Sequence, residues 1–367
     1  MSQSRLHELG EHGVSVWIDS LSREMLETGE LARLMTDDAV VGVTSNPTIF
    51  EKALSEGDWY DEQLRAAAQE IDDPVELFFT LAQEDIRDAC ELLDPTWQRT
   101  GGVDGYVSLE VDPNLAYDRQ ASYEQAMRFH REVDRRNLYV KIPGTEPGLG
   151  AIEDCIAEGR SINVTLIFSL ERYAAVVQAY LNGLERLVAA GGDPAPVRSV
   201  ASFFVSRVDT EADRRLEEVG RTDLQGKLAI ANAKLAYAHW KEAFSGARWQ
   251  ALETKGALTQ RCLWASTSTK NPAYRDVLYV EELIGPDVVN TMPVETVHAF
   301  QDHGEVRDTL ESGLDEARAL LDELRDAGVD YDDVVETLER EGVEKFSDSF
   351  RQLLDGIEAK VEAVAAR

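Results

Sequence analysis

The chain has 367 residues, 43% of them hydrophobic, enough apolar material for one large domain or two ordinary ones. A formal net charge of −32 with no basic run excludes a nucleic-acid partner, because phosphate-backbone binders need a basic patch to displace counterions. The amino terminus is polar with no basic segment leading into an apolar run, and no uncharged stretch of about 18 residues could span a bilayer, so a cytoplasmic protein with no membrane contact is expected.

In chain order the first β-rich run covers residues 14–19 and the second 40–46. An insertion follows, from residue 49 to about 102, whose portion 77–93 carries helical spacing. The third strand is expected at 106–111. From there strands and amphipathic stretches alternate: a helical pattern at 122–135, a strand at 138–142, a helix at 149–158, a strand at 162–168, a helix at 170–190 and a strand at 197–205. A helix at 228–244 leads to the strands at 261–266 and 288–292. After Phe300 an acidic tail, 301–367, carries two apolar stripes. Leu310, Leu314, Ala317, Leu321 and Leu324 mark one helix, and Phe346, Phe350, Leu353, Ile357, Val361 and Val364 another. Strand and helix in alternation means parallel pairing, and eight such units predict a closed (β/α)8 barrel of one domain with a helical insertion and tail. A doubly wound sheet is the alternative, but no GxGxxG follows the first strands.

Within the fourth strand Lys141 is a lone lysine in the apolar run Leu138-Tyr139-Val140-Lys141-Ile142, which stops at Pro143-Gly144-Thr145. Burial strips an ammonium of hydration and so favours the neutral amine, the nucleophile of Schiff-base chemistry. The competing account is a strand-end lysine that snorkels to water. Parity decides between them. Residues two apart share a face, so Trp17 goes with Asp19, Thr44 with Asn46, Ser108 with Glu110, Tyr139 with Lys141, Asn163 with Thr165, Ser202 with Phe204 and Ser266 with Ser268. Nearly every strand thus ends in a polar group on one face, and in a parallel barrel that is where catalytic groups gather. Inward polar groups must find partners, which favours a lysine-centred site. Glu110 is either an ion-pair partner that keeps Lys141 charged or a proton carrier for carbinolamine chemistry. Asp19 could instead be a helix N-cap, since a short helical pattern begins at Ser20. Arg207 and Lys270 follow the sixth and seventh strands with hydroxyls between them, a set that suits a phosphate monoester.

The cysteines Cys90, Cys155 and Cys262 are far apart and form no CxxC pair, so reduced core thiols are expected. His7, His12, His130, His239, His298 and His303 show neither HExxH nor paired-ligand spacing, so neither a metal nor another cofactor is expected.

Five separated motifs resemble the transaldolases, the class I Schiff-base enzymes of the non-oxidative pentose phosphate pathway. They are Trp17-Ile18-Asp19-Ser20, Gly42-Val43-Thr44-Ser45-Asn46-Pro47-Thr48-Ile49-Phe50, Val107-Ser108-Leu109-Glu110-Val111, Val140-Lys141-Ile142-Pro143-Gly144-Thr145 and Ile162-Asn163-Val164-Thr165-Leu166-Ile167-Phe168-Ser169. The resemblance implies a class I aldolase barrel in which Lys141 attacks the keto carbon of sedoheptulose 7-phosphate or fructose 6-phosphate. It implies that Asp19 takes the C4 hydroxyl proton as the carbon–carbon bond breaks, with the acceptor glyceraldehyde 3-phosphate or erythrose 4-phosphate completing the transfer. Asn46 and Asn163 would orient hydroxyls of the three-carbon unit, Glu110 and Thr165 would position a water, and Ser202 and Phe204 would shape the pocket. Arg207, Ser266 and Lys270 would bind the phosphate. One departure stands out: many family members carry an arginine two residues after the serine that matches Ser266, where this chain has Ser268. The Trp264–Pro272 segment is similar to a bacterial subgroup that includes modules fused to phosphoglucose isomerase, although no isomerase module is expected after Phe300. The rivals are a class I aldolase releasing free dihydroxyacetone and a non-catalytic sugar-phosphate-binding protein. A monomer or a homodimer is expected.

Overall fold

A computed structural model describes residues 4–55 and 57–365. The ends of the expected domain, 1–3 and 366–367, therefore lie outside it, as does residue 56. Eight strands form a closed barrel in sequence order, and every neighbouring pair is parallel. They are β1 (Val14–Ile18), β2 (Gly42–Val43), β3 (Tyr106–Glu110), β4 (Leu138–Pro143), β5 (Ile162–Ile167), β6 (Ser199–Phe204), β7 (Arg261–Ala265) and β8 (Val288–Met292). The expected barrel is thus present, with all eight strands where the β-rich runs lie. The second strand is shorter than the sequence suggested, because only Gly42 and Val43 of the 40–46 run pair with both neighbours. Residues 44–46 leave the sheet to start a helix.

Between β1 and β2 lie helices Arg23–Glu27 and Glu30–Asp37, here α2 and α3, after an initial α1 (Arg5–Glu11). The insertion is helical: α4 (Pro47–Ser55), α5 (Asp61–Ala67) and the 26-residue α6 (Pro74–Arg99), which begins on the Asp73 N-cap with proline in its first turn. The crossover helices α7 (Arg119–Val133), α8 (Glu146–Ala157), α9 (Leu170–Ala189), α10 (Ser206–Glu218) and α11 (Leu228–Ala243) carry the chain from β3 towards β7. Four short or medium helices follow: α12 (Ala247–Glu253), α13 (Leu278–Glu281), α14 (Val294–His303) and α15 (Leu314–Asp326). The 35-residue α16 (Tyr331–Ala365) ends the described chain. The tail stripe differs slightly from expectation, since Leu310 precedes α15 and Leu320 rather than Leu321 is buried with Ala317 and Leu324.

Large aromatic side chains fill the barrel below the polar strand ends. Trp17, Tyr106 and Tyr139 are all fully or almost fully buried; the tyrosine rings stack at 4.2 Å, and Trp17 lies 6.1 Å from Tyr139. Gly42 makes room for this plug, because a Cβ there would sit 2.4 Å from the Trp17 ring. All three cysteines are free and buried. Among the described residues no helix is long and apolar enough to cross a membrane.

Candidate active site

Register places Lys141 beside Glu110 on β3 and beside Asn163 on β5. The lysine is 4% exposed, so it does not snorkel to water. Its Nζ donates to Glu110 Oε2 at 2.8 Å and to the Ser45 carbonyl at 2.9 Å. Glu110 is also buried, and its second oxygen, Oε1, has no hydrogen-bond partner among the described residues. Burial raises the proton affinity of this carboxyl, against the opposing pull of Lys141. Glu110 is therefore a strengthened proton acceptor in hydrogen-bonding contact with the Lys141 amine.

Asp19 lies one residue beyond β1, where the Thr44 hydroxyl donates to its Oδ1 at 2.8 Å. Thr44 Oγ1 is in turn 2.7 Å from Thr291 Oγ1 on β8. Burial raises the Asp19 proton affinity, while Lys141, Thr44, Arg207 and Lys270 act in the opposite direction. The helix expected to start at Ser20 begins instead at Arg23, capped by Ser22, whose hydroxyl accepts from the Met25 amide. Asp19 is therefore free of capping duty and faces the lysine site.

Asn163 is fully buried between two serines: Ser202 Oγ donates to its Oδ1 at 2.7 Å, and its Nδ2 donates to Ser108 Oγ at 3.1 Å. Thr165, two residues on, is buried, and its hydroxyl has no partner among the described residues. Leu166 then turns into the left-handed region with φ 58°, where β5 slips register against β6. Ser266, just past β7, has φ 57°. Non-glycine residues in this region cost on the order of 1–3 kcal/mol and cluster at functional sites. Both flank the end of β6.

Asn46 is half-buried and spends its side-chain oxygen capping α4, accepting from the Ile49 amide at 3.0 Å, with Pro47 at the first helical position. The Asn-Pro-Thr-Ile sequence is thus a helix start as well as a candidate site, and the side-chain amide nitrogen of Asn46 has no bond among the described residues. Phe204 packs 5.1 Å from Phe168, and the Arg207 guanidinium carbon sits 5.1 Å over its ring. Among the described residues no carboxylate pairs with Arg207. Ser266 Oγ is 2.9 Å from Ser206 Oγ. Lys270 is exposed, with Nζ donating to Ser268 Oγ at 2.7 Å.

Glu110, Lys141, Asp19, Asn163, Thr165, Ser202, Phe204 and Arg207 thus converge on the carboxyl-terminal mouth, with Asn46, Ser266 and Lys270 on its rim. The sequence reading missed Thr291, which closes the hydroxyl chain to Asp19, and Ser45, whose carbonyl holds Lys141. The signal for Thr291 was a polar residue near the end of the eighth strand, the same pattern that marked the others.

A family model described as Transaldolase/Fructose-6-phosphate aldolase matches residues 16–357. The chain is 52% identical over 360 residues to the transaldolase of Acidothermus cellulolyticus, covering 97% of each chain. It is 52% identical over 364 residues to the transaldolase of Thermobifida fusca, covering 98% of this chain and 99% of that one. With the transaldolase of Mycobacterium marinum the identity is 50% over 365 residues and 98% of both chains.

Proposed function

The chain belongs to the transaldolase/fructose-6-phosphate aldolase family, and from that premise we propose how its own residues divide the reaction. The enzyme is a transaldolase: it moves a three-carbon dihydroxyacetone unit from sedoheptulose 7-phosphate to glyceraldehyde 3-phosphate, yielding erythrose 4-phosphate and fructose 6-phosphate in the pentose phosphate pathway. Lys141, rendered neutral by passing its proton to Glu110, attacks the keto carbon of the donor sugar. Glu110 returns the proton through a water, and the carbinolamine loses its hydroxyl as water to give the iminium. Thr165, whose hydroxyl is unengaged, helps position that water.

Asp19 next removes the proton from the C4 hydroxyl. The C3–C4 bond breaks, its electron pair flows into the iminium, and an enamine remains on Lys141 while the aldose phosphate departs. The protonated Asp19 then donates to the aldehyde oxygen of the acceptor as the enamine carbon attacks it. Hydrolysis of the new iminium releases the product. Asn46 and Asn163 orient the hydroxyls of the retained unit, Ser202 and Phe204 shape its pocket, and Arg207, Ser266 and Lys270 hold the phosphate.

The observation that carries this reading is the buried Lys141–Glu110 pair at 2.8 Å, with Asp19 facing the same mouth. A transfer assay between fructose 6-phosphate and erythrose 4-phosphate tests it, with sedoheptulose 7-phosphate as the product. Formation of free dihydroxyacetone at the same rate without acceptor would make the protein an aldolase instead. Borohydride reduction in the presence of fructose 6-phosphate should fix the adduct on Lys141; attachment to another lysine, or none, would refute the mechanism.

A further inference from the structure

The long helix α16 passes over the mouth of the barrel. Near its start, the Tyr331 hydroxyl accepts from the Leu170 amide at 3.1 Å and donates to Asn232 at 2.7 Å. Further along, Gly342 lies against the end of β5, where an added Cβ would come within 3.2 Å of Leu166 and 3.4 Å of Phe168. Ser349 then accepts from Thr48 at 2.8 Å at the start of α4, beyond β2, and Phe350 packs edge-on to Phe78 of α6 at 5.6 Å. Residues 345 and 346 come between these two anchor points. The Phe346 ring lies 5.7 Å from the Arg207 guanidinium carbon, which fixes this turn of the helix at the end of β6.

Lys345 precedes that phenylalanine and is exposed. Among the described residues no hydrogen bond or ion pair engages it, in a chain with 69 acidic and 37 basic side chains. Arg207 also lacks a carboxylate partner, and Lys270 is bonded to the neutral hydroxyl of Ser268. The three cations repel one another: Arg207, more than lost hydration, weakens the hold of Lys345 on its proton, and Arg207 and Lys345 both add to the partial desolvation that does the same to Lys270. Asp19 attracts Arg207 and Lys270 without pairing with either. Like charges held together with no carboxylate in direct contact form a site prepared for an anion, because a bound dianion relieves their repulsion.

We propose that Lys345 is a third cation of the substrate-phosphate subsite, carried by α16 to face Arg207 and Lys270. The proposal rests on the function given above and adds a specificity residue from a helix outside the barrel. It also offers a counterpart for the arginine that Ser268 replaces. The phosphate-bearing end of the sugar would touch α16, whereas the three-carbon unit on Lys141 would not.

The test uses Lys345→Ala and Lys345→Arg in the full chain. Calorimetric titration with inorganic phosphate reads the subsite without any chemistry, and KM for fructose 6-phosphate reads it during turnover. Alanine should weaken both by roughly five- to tenfold, as expected for one partly screened charge-assisted contact. Arginine should restore most of each, and borohydride trapping of unphosphorylated dihydroxyacetone on Lys141 should be unchanged in both variants. An unaltered dissociation constant for phosphate and an unaltered KM in Lys345→Ala, with both raised in Lys270→Ala, would overturn the proposal. Failure of the unaltered protein to transfer the three-carbon unit would instead overturn the function, while the phosphate titration would still report on Lys345.

Discussion

Glu110 and Lys141 stand at the same register on adjacent parallel strands, and the carboxylate meets the amine at 2.8 Å in a place where neither reaches bulk water. A buried pair of this kind is poor at stabilising a fold, since desolvation offsets its attraction. Its value is chemical. The carboxyl, made a better proton acceptor by burial, is the nearest group able to relieve Lys141 of its proton.

Glu110→Gln should therefore separate proton handling from packing. Glutamine is nearly isosteric and can still accept from Lys141, so the folded packing should persist, with a lowered melting temperature because one charge of a buried pair is lost. The rate of Schiff-base formation, followed by single-turnover borohydride trapping, should fall by roughly 10²- to 10⁴-fold, the usual contribution of a positioned acid–base. Trapping at the unaltered rate would leave Glu110 a purely structural ion-pair partner.

Asp19→Asn should leave trapping of dihydroxyacetone on Lys141 intact and lower kcat for transfer by roughly 10²-fold or more, because only bond cleavage needs its carboxylate. The pH dependence follows with a definite sign. Asp19 must be ionised to accept the C4 proton, and burial raises its proton affinity, so activity should fall on acidification at a pH above the ordinary aspartate value of about 3.9. Lys270 is among the groups that oppose this rise. The acidic limb should accordingly move to higher pH in Lys270→Ala, and movement to lower pH would contradict the assignment.

Lys270→Ala should raise KM for phosphorylated sugars by roughly tenfold, since a charge-assisted hydrogen bond is worth about 1.5–3 kcal/mol. The Ser268 hydroxyl holds the ammonium in place, so Ser268→Ala should produce a smaller change in the same direction. An unchanged KM for fructose 6-phosphate in Lys270→Ala would make this lysine a surface charge and leave the phosphate to Arg207, Ser266 and Lys345.

Asp209, on α10, gives a stability prediction away from the chemistry. It is buried, accepts from the Ala229 amide at 2.7 Å and from the Tyr279 hydroxyl at 2.9 Å, and burial pushes its carboxyl up to about 7. A carboxyl with a raised folded-state value binds its proton more tightly when folded. Its contribution to stability is then present at low pH and lost as pH rises from about 4 towards 7, with a slope of at most about 1.4 kcal/mol per pH unit. Asp209→Asn removes that titration. Urea denaturation of both proteins at several pH values should show the unaltered protein losing stability relative to the variant as pH increases; a gap that is constant or moves the other way would sink the idea.

The barrel and much of the site were legible in the sequence because strands repeat every two residues. Polar residues at the ends of apolar runs, such as Glu110, Lys141 and Thr165, announced a shared inward face before any pairing was known. The same pattern left two matters open that only packing decided. Asp19 could have capped a helix from Ser20, until Ser22 took that part and the helix began at Arg23. Residues 40–46 read as one strand, yet Asn46 and Pro47 are so good a helix start that the sheet keeps only two residues of the run.

The C-terminal helix shows where sequence stops. Its apolar stripe specified that one face would be buried, and Phe350 against Phe78 and Phe79 fulfils this. A stripe does not say which surface it will cover. That Lys345 and Phe346 come to rest by Arg207, some 140 residues earlier in the chain, depends on side-chain complementarity between α16 and the ends of β2, β5 and β6. Local periodicity fixes what an element is, through hydrogen bonding and burial within a few residues. Where a distant element docks is settled by shape and charge across the whole assembled barrel, and so by the tertiary structure alone.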